Sequence, residues 1–167
     1  MTYKATSLSK QAGFTMVELL IVIVIIGILS VIGLNNFLTA QLKARDSQRK
    51  SDLATITKGL EMYYNDKGRY PAASNNQIFD GVAEVAWGSN TGFTDALVTG
   101  GAVYLSKMPK DPSKYQYFYA TNAGGTYYKI YARLENANDG QIGSYAGTDC
   151  GGTLECNFGL SSSNETP

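Results

Sequence analysis

An α+β fold is predicted, a long amino-terminal helix packed on a small antiparallel β-sheet, and three observations carry that prediction. The first is an apolar run, GFTMVELLIVIVIIGILSVIGL from Gly13 to Leu34, that flows into a segment with no proline before Pro71. The second is the recurrence of Leu53, Ile56, Leu60 and Tyr63 or Tyr64 at helical spacing late in that segment. The third is a β-hairpin pattern: YQYFYAT at 115–121 and TYYKIYARLE at 126–135, separated by Asn122-Ala123-Gly124-Gly125.

Taken in order, residues 1–13 form a short polar leader, MTYKATSLSKQAG, with Lys4 and Lys10 and no acid. Residues 14–34 are 21 in number. At 1.5 Å per residue they span about 31 Å as a helix, close to the roughly 30 Å hydrocarbon core of a bilayer. Ser30 and Gly33 lead into Asn35, Asn36 and more helix rather than into a secretory processing site, so the apolar stretch is expected to be kept. Within it stands one carboxylate, Glu18. An ionised group at membrane depth costs at least about 2.5–3.5 kcal/mol on insertion scales and calls for a partner. No basic residue lies between Lys10 and Lys43, so that partner lies outside this helix.

Residues 35–66 continue the helix as an amphipathic half, with a polar middle around Arg45 to Lys50. A helix from Phe14 to Asp66 has 53 residues and a length of about 80 Å. Asp66-Lys67-Gly68 and Tyr70-Pro71 supply its stop. Residues 67–167 form the head. Its 71–114 stretch reads as loop with one short helix around Phe93 to Val98, ending at Gly100-Gly101, and MPKDP at 108–112 turns into the hairpin. In the second strand Tyr128, Ile130, Ala132 and Leu134 share the face expected to cover Leu53 to Tyr64, while Lys129, Arg133 and Glu135 share the other.

Composition excludes several function classes. The 167 residues, 44% apolar and 17% charged, suit one small domain plus an anchor. Loss of residues 1–13 leaves 12 basic against 14 acidic groups, a balance that does not advertise nucleic-acid binding. With no histidine, Ser-His-Asp and Cys-His mechanisms and imidazole zinc sites are excluded. Six of the 12 tyrosines fall between Tyr115 and Tyr131 and are assigned to hairpin stability rather than to binding. Cys150 and Cys156 fit a local disulfide outside the cytosol, or two free thiols inside it. No cofactor is expected.

The stretch GFTMVELLIVIVIIGIL resembles the prepilin signal of type IV pilins and of the pseudopilins of type II secretion systems. That resemblance implies cleavage by a membrane-embedded prepilin peptidase between Gly13 and Phe14, N-methylation of Phe14, and an assembly role for Glu18. It implies a single-pass protein of the cytoplasmic membrane with a cytoplasmic leader, held in lipid before assembly. Passage through an inner-membrane platform then leads into a helical filament of copies of itself outside the cytoplasm or on the cell surface. A freed amine at Phe14 sits at the positive end of the helix dipole and needs an anion, which Glu18 of a neighbouring subunit supplies. Two departures stand out: Gln11 and Ala12 separate Lys10 from the glycine, and Asn35 stands where the family often has a helix-kinking proline, leaving local melting to Gly27 and Gly33. The lysines and arginines at 43–50 oppose those of the leader, so charge counting alone does not set the topology.

The helix-plus-sheet plan resembles a pilin head, KDP before the sheet resembles the pseudopilin version, and the Cys150–Cys156 region resembles a disulfide-bounded carboxyl-terminal surface of pilins. Because some pseudopilins bind calcium, the hard oxygens of Glu135, Asn136, Asn138 and Asp139 invite a calcium site, against which the spacing favours a simple turn. Asn164-Glu165-Thr166 matches a glycosylation sequon. The first functional reading is a pilin, with no enzymatic activity. The alternative is the major pseudopilin of a type II secretion system, and a different class is an anchored exported enzyme or binding protein.

Overall fold

A computed structural model describes residues 13–167, with the side chains of residues 31–35 outside that description. The expected leader therefore lies outside the described residues up to residue 12, as do the surroundings of Gly33 and Asn35. Helix α1 runs Met16–Lys67, 52 residues. Its interior contains no proline, and the one hydroxyl in its described apolar part, Ser30 Oγ, donates back to the Ile26 carbonyl at 2.7 Å. It ends where Gly68 takes a left-handed conformation, φ +69°, and its N–H donates to the Tyr64 carbonyl at 2.8 Å.

The chain divides into two units, one ending at Thr39 and one comprising Ala40–Pro167. In the first, the apolar side chains from Phe14 to Leu29 are all exposed, Met16 by 87%. Among the described residues no helix is long and apolar enough to cross a membrane. Within the apolar run the side chains are described as far as Ser30, short of its end at Leu34.

The second unit holds the core. Leu53, Ile56 and Leu60 of α1 are fully buried, and Tyr63 nearly so. Against them lie eight short strands: β1 Ala72–Ser74, β2 Gln77–Phe79, β3 Glu84–Val85, β4 Phe93–Thr94, β5 Val103–Leu105, β6 Phe118–Thr121, β7 Tyr128–Ala132 and β8 Phe158–Ser161. They form three small antiparallel sheets, β1-β2-β3, β4-β5 and β6-β7-β8, where one sheet was expected. In the last, Phe118 faces Tyr131 and Thr121 faces Tyr128, while Ala132 faces Phe158. Tyr128, Ile130, Ala132 and Leu134 are buried with Leu53, Ile56, Leu60 and Tyr63, the face the alternation predicted. The opposite face of this sheet is covered too: Tyr131 is buried with the Cys150–Cys156 disulfide, flanked by Phe118 and Tyr145.

Three further expectations are corrected. Residues 93–98 form no helix. Phe93 is instead buried in β4, stacked on Tyr63 at 5.3 Å and packed against Tyr104 at 5.1 Å, and the Asp95 N–H bonds the Ala102 carbonyl at 2.8 Å to close a hairpin. Burial of one aromatic ring outweighs the weak helix propensity of six residues. The stretch 71–92 carries strands rather than plain loop. Strand β6 starts at Phe118 rather than 115, because the Gln116 N–H goes to the Cys150 carbonyl at 2.8 Å and the Tyr117 hydroxyl donates to Asp52 at 2.6 Å.

The turn at Asn122–Gly125 depends on its last glycine. Gly125 has φ +62°, its carbonyl accepts from the Tyr70 N–H at 2.8 Å, and a Cβ there would stand 2.6 Å from the Tyr70 carbonyl oxygen. Gly125→Ala is expected to cost about 1–3 kcal/mol from backbone strain alone, read as a lowered urea midpoint with unchanged slope.

Candidate assembly site

Gly13 and Phe14 precede α1, and both are exposed, Phe14 by 83%. A Cβ built on Gly13 would meet no atom within 4 Å. Nothing in the described fold therefore requires glycine there. Thr15 is the N-cap of α1. Its Oγ1 accepts the Glu18 N–H at 3.2 Å, and Glu18 Oε2 accepts the Thr15 N–H at 2.7 Å and the Thr15 hydroxyl at 2.8 Å. This reciprocal pair is a capping box, which satisfies two of the donors that a helix start leaves open. All three bonds fall on Glu18 Oε2 or its backbone nitrogen, which leaves Oε1 outside the cap. Gly27, inside α1, likewise meets nothing within 4 Å of a built Cβ.

The head carries a second polar constellation. Arg45, Asp46, Arg49 and Lys50 recur at helical spacing and gather two distant loops onto α1. The Arg49 side chain is fully buried. It donates to Asp46 Oδ1 at 2.7 Å, to Asp111 Oδ2 at 2.6 Å and Oδ1 at 3.0 Å, to Glu135 Oε1 at 2.7 Å and to Ser113 Oγ at 2.8 Å. Asp46 in turn accepts the backbone N–H groups of Glu135 and Asn136 at 2.9 and 2.8 Å. Hydrogen bonds from Arg45, then from Arg49, outweigh burial and hold the Glu135 carboxyl down at about 2 from its usual 4.5. Burial raises the Asp111 carboxyl, but Arg49 and the Ser113 N–H lower it further, so it too titrates below its ordinary range.

The four residues of the calcium candidate are adjacent in the structure but already engaged. Glu135 is bound by Arg45 and Arg49, and Asp139 Oδ2 accepts from Lys50 Nζ at 2.7 Å. Asn136 Oδ1 accepts the Asn138 N–H at 3.3 Å and Asp139 Oδ1 the Gln141 N–H at 3.0 Å. Both carboxylates face cations of α1, so this set does not fit a divalent ion as it stands. Among the described residues no group of three or more His, Cys, Asp or Glu side chains is placed so that it could hold a metal ion. The Asn164 amide donates to the Thr126 carbonyl at 3.1 Å and its Oδ1 accepts from the Ser162 hydroxyl at 2.6 Å, so the sequon asparagine is held beside the ends of β7 and β8.

Thr15, Asp46 and Arg49 were given no role by the sequence, and Asp111 entered only within the KDP resemblance. Thr15 had a signal, the T-M-V-E spacing of a capping box. The pairing of Arg49 with Asp111 had no local signal, because the bond between them spans 62 positions of the chain.

An apolar, self-capped helix leading into an α+β head is the build of a pilin-like subunit, and similarity to known proteins agrees. Residues 8–34 match the prokaryotic N-terminal methylation motif, and residues 36–149 match the family of type II secretion system (T2SS) protein G. The chain belongs to that protein G family. It is 30% identical to the type II secretion system core protein G of Escherichia coli (strain K12) over 135 residues, 81% of this chain and 87% of that protein. The corresponding protein of Aeromonas hydrophila is 32% identical over 103 residues, 62% of this chain and 68% of the relative. The type IV major pilin protein PilA of Myxococcus xanthus is 35% identical over 66 residues, 40% of this chain and 30% of that protein. No solved structure matches the chain.

Proposed function

We propose that this chain is a structural subunit of a type IV pilus-like filament, cleaved after Gly13, N-methylated on Phe14 and assembled through its apolar helix. The observation that carries the reading is the tip of α1. There Glu18 spends Oε2 on its own helix start while Oε1 lies outside the cap, beside apolar side chains that are all exposed in the single chain. One oxygen stiffens the helix end, and the other takes the Phe14 amine of a neighbouring subunit. The exposed run seeks lipid before assembly and other helices after it, since apolar surface of that extent is not left in water. Residues 14–34 form the membrane-spanning segment of the precursor, with the leader in the cytoplasm and the head outside.

A glycine that the fold does not need at position 13 supports a recognition role, the prepilin peptidase being the enzyme that reads it. The subunit itself does no catalysis. An inner-membrane platform passes each copy from lipid to filament. A second reading, the major pseudopilin of a type II secretion system, is favoured by the protein G match over 36–149. Mass spectrometry of sheared fibres tests the shared claim: the mature chain is expected to begin at N-methylated Phe14, and recovered polymer beginning at Met1 defeats it. Deleting the gene separates the readings. Loss of surface fibres with protein export intact supports the pilus, and loss of export supports the pseudopilus.

A further inference from the structure

The cationic groups packed on the acidic 135–140 segment come from α1, and one of them stands where a metal ion would be sought. Lys50 Nζ lies 2.7 Å from Asp139 Oδ2 and 5.4 Å from the centroid of the Phe158 ring. It lines a hollow of about 400 Å³ with Asp46, Asn136, Asn138 and Asp139. A divalent ion needs six to eight oxygens at short range. Here the Glu135 oxygens are filled by two guanidinium groups and Asp139 by the ammonium, so an incoming cation meets charge of its own sign.

We propose that Lys50 is the resident cation of this turn, doing internally what a bound calcium ion would do. Its charge holds Asp139 to α1, and Asp139 and Asp46 together fix the backbone N–H groups of Gln141, Glu135 and Asn136. The head thus closes without a divalent ion, and neutralising position 50 opens the acidic turn to one. The claim is independent of the filament reading, because it concerns only the melting of the head.

The test uses the full chain in detergent, melted in chelator and in millimolar calcium chloride. Wild type is expected to melt at one temperature in both. Lys50→Met keeps an apolar stem over Phe158 but should melt about 3 °C lower in chelator and recover in calcium. Adding Asp139→Asn to that variant should abolish the recovery. Calcium stabilisation of wild type, a Lys50→Met melt equal to wild type in chelator, or a Lys50→Met loss that calcium does not repair overturns the proposal. So does recovery that survives Asp139→Asn, since the ion would then bind elsewhere.

Discussion

Replacing Arg49 by alanine is expected to lower the stability of the head by about 3–5 kcal/mol, the usual consequence of deleting one partner from a buried ionic network. The guanidinium is fully buried among Asp46, Asp111 and Glu135. Glu135 would keep Arg45, but Asp111 and Asp46 would face one another's charge without a counterion. The pH profile identifies the mechanism. In wild type the Glu135 carboxyl is depressed to about 2, so its contribution is fully present above its unfolded value near 4.5 and fades as pH falls toward 2. Asp111 is lowered as well and contributes with the same sign. In Arg49→Ala burial raises the orphaned Asp111 carboxyl instead, and protonation relieves it. The stability gap between the two proteins should therefore narrow from pH 7 to pH 3. Urea unfolding of both at several pH values measures this, and a constant gap would show that lost packing rather than lost charge explains the variant.

Glu18→Val is expected to leave membrane insertion intact and to reduce incorporation into filaments by about a hundredfold or more, from the roughly 3 kcal/mol typical of breaking a buried pair. Valine removes both the cap and the charge. Glu18→Gln separates them, because a glutamine amide oxygen still accepts the Thr15 N–H in a capping box. If the intersubunit pair with Phe14 governs assembly, Gln fails nearly as badly as Val. Fibre yield in Glu18→Gln close to wild type would leave only the cap, worth about 1 kcal/mol. Quantifying subunit in membranes and in sheared fibres for the three proteins decides between these.

Much of the fold was legible because its signals are local. The α1 helix, its glycine stop and the inward face of β7 all follow from periodicity and turn residues within short windows. Strand β8, with the sequence FGLS, was invisible: it has no β-branched residue and a glycine in its middle, and it exists because the edge of β7 accepts it. The hairpin of β4 and β5 lost to a false helix because what fixes it is Tyr63, some thirty positions earlier in the chain. At the tip of α1 the sequence marked Glu18 but not its cap with Thr15, a signal only three residues long, whereas the binding of Glu135 and Asp139 to helix cations depends on side chains brought together across some ninety positions.

That reach has a kinetic corollary. Helical turns form in about a microsecond, while contacts between remote segments wait on loop closure and set the slower pace. Arg49 bridges α1 to segments 62 and 86 positions away, so its clasp completes only after both have threaded back. The first turns of α1 are thus expected to form ahead of the head, whose clasp closes last because its partners are the most remote in sequence.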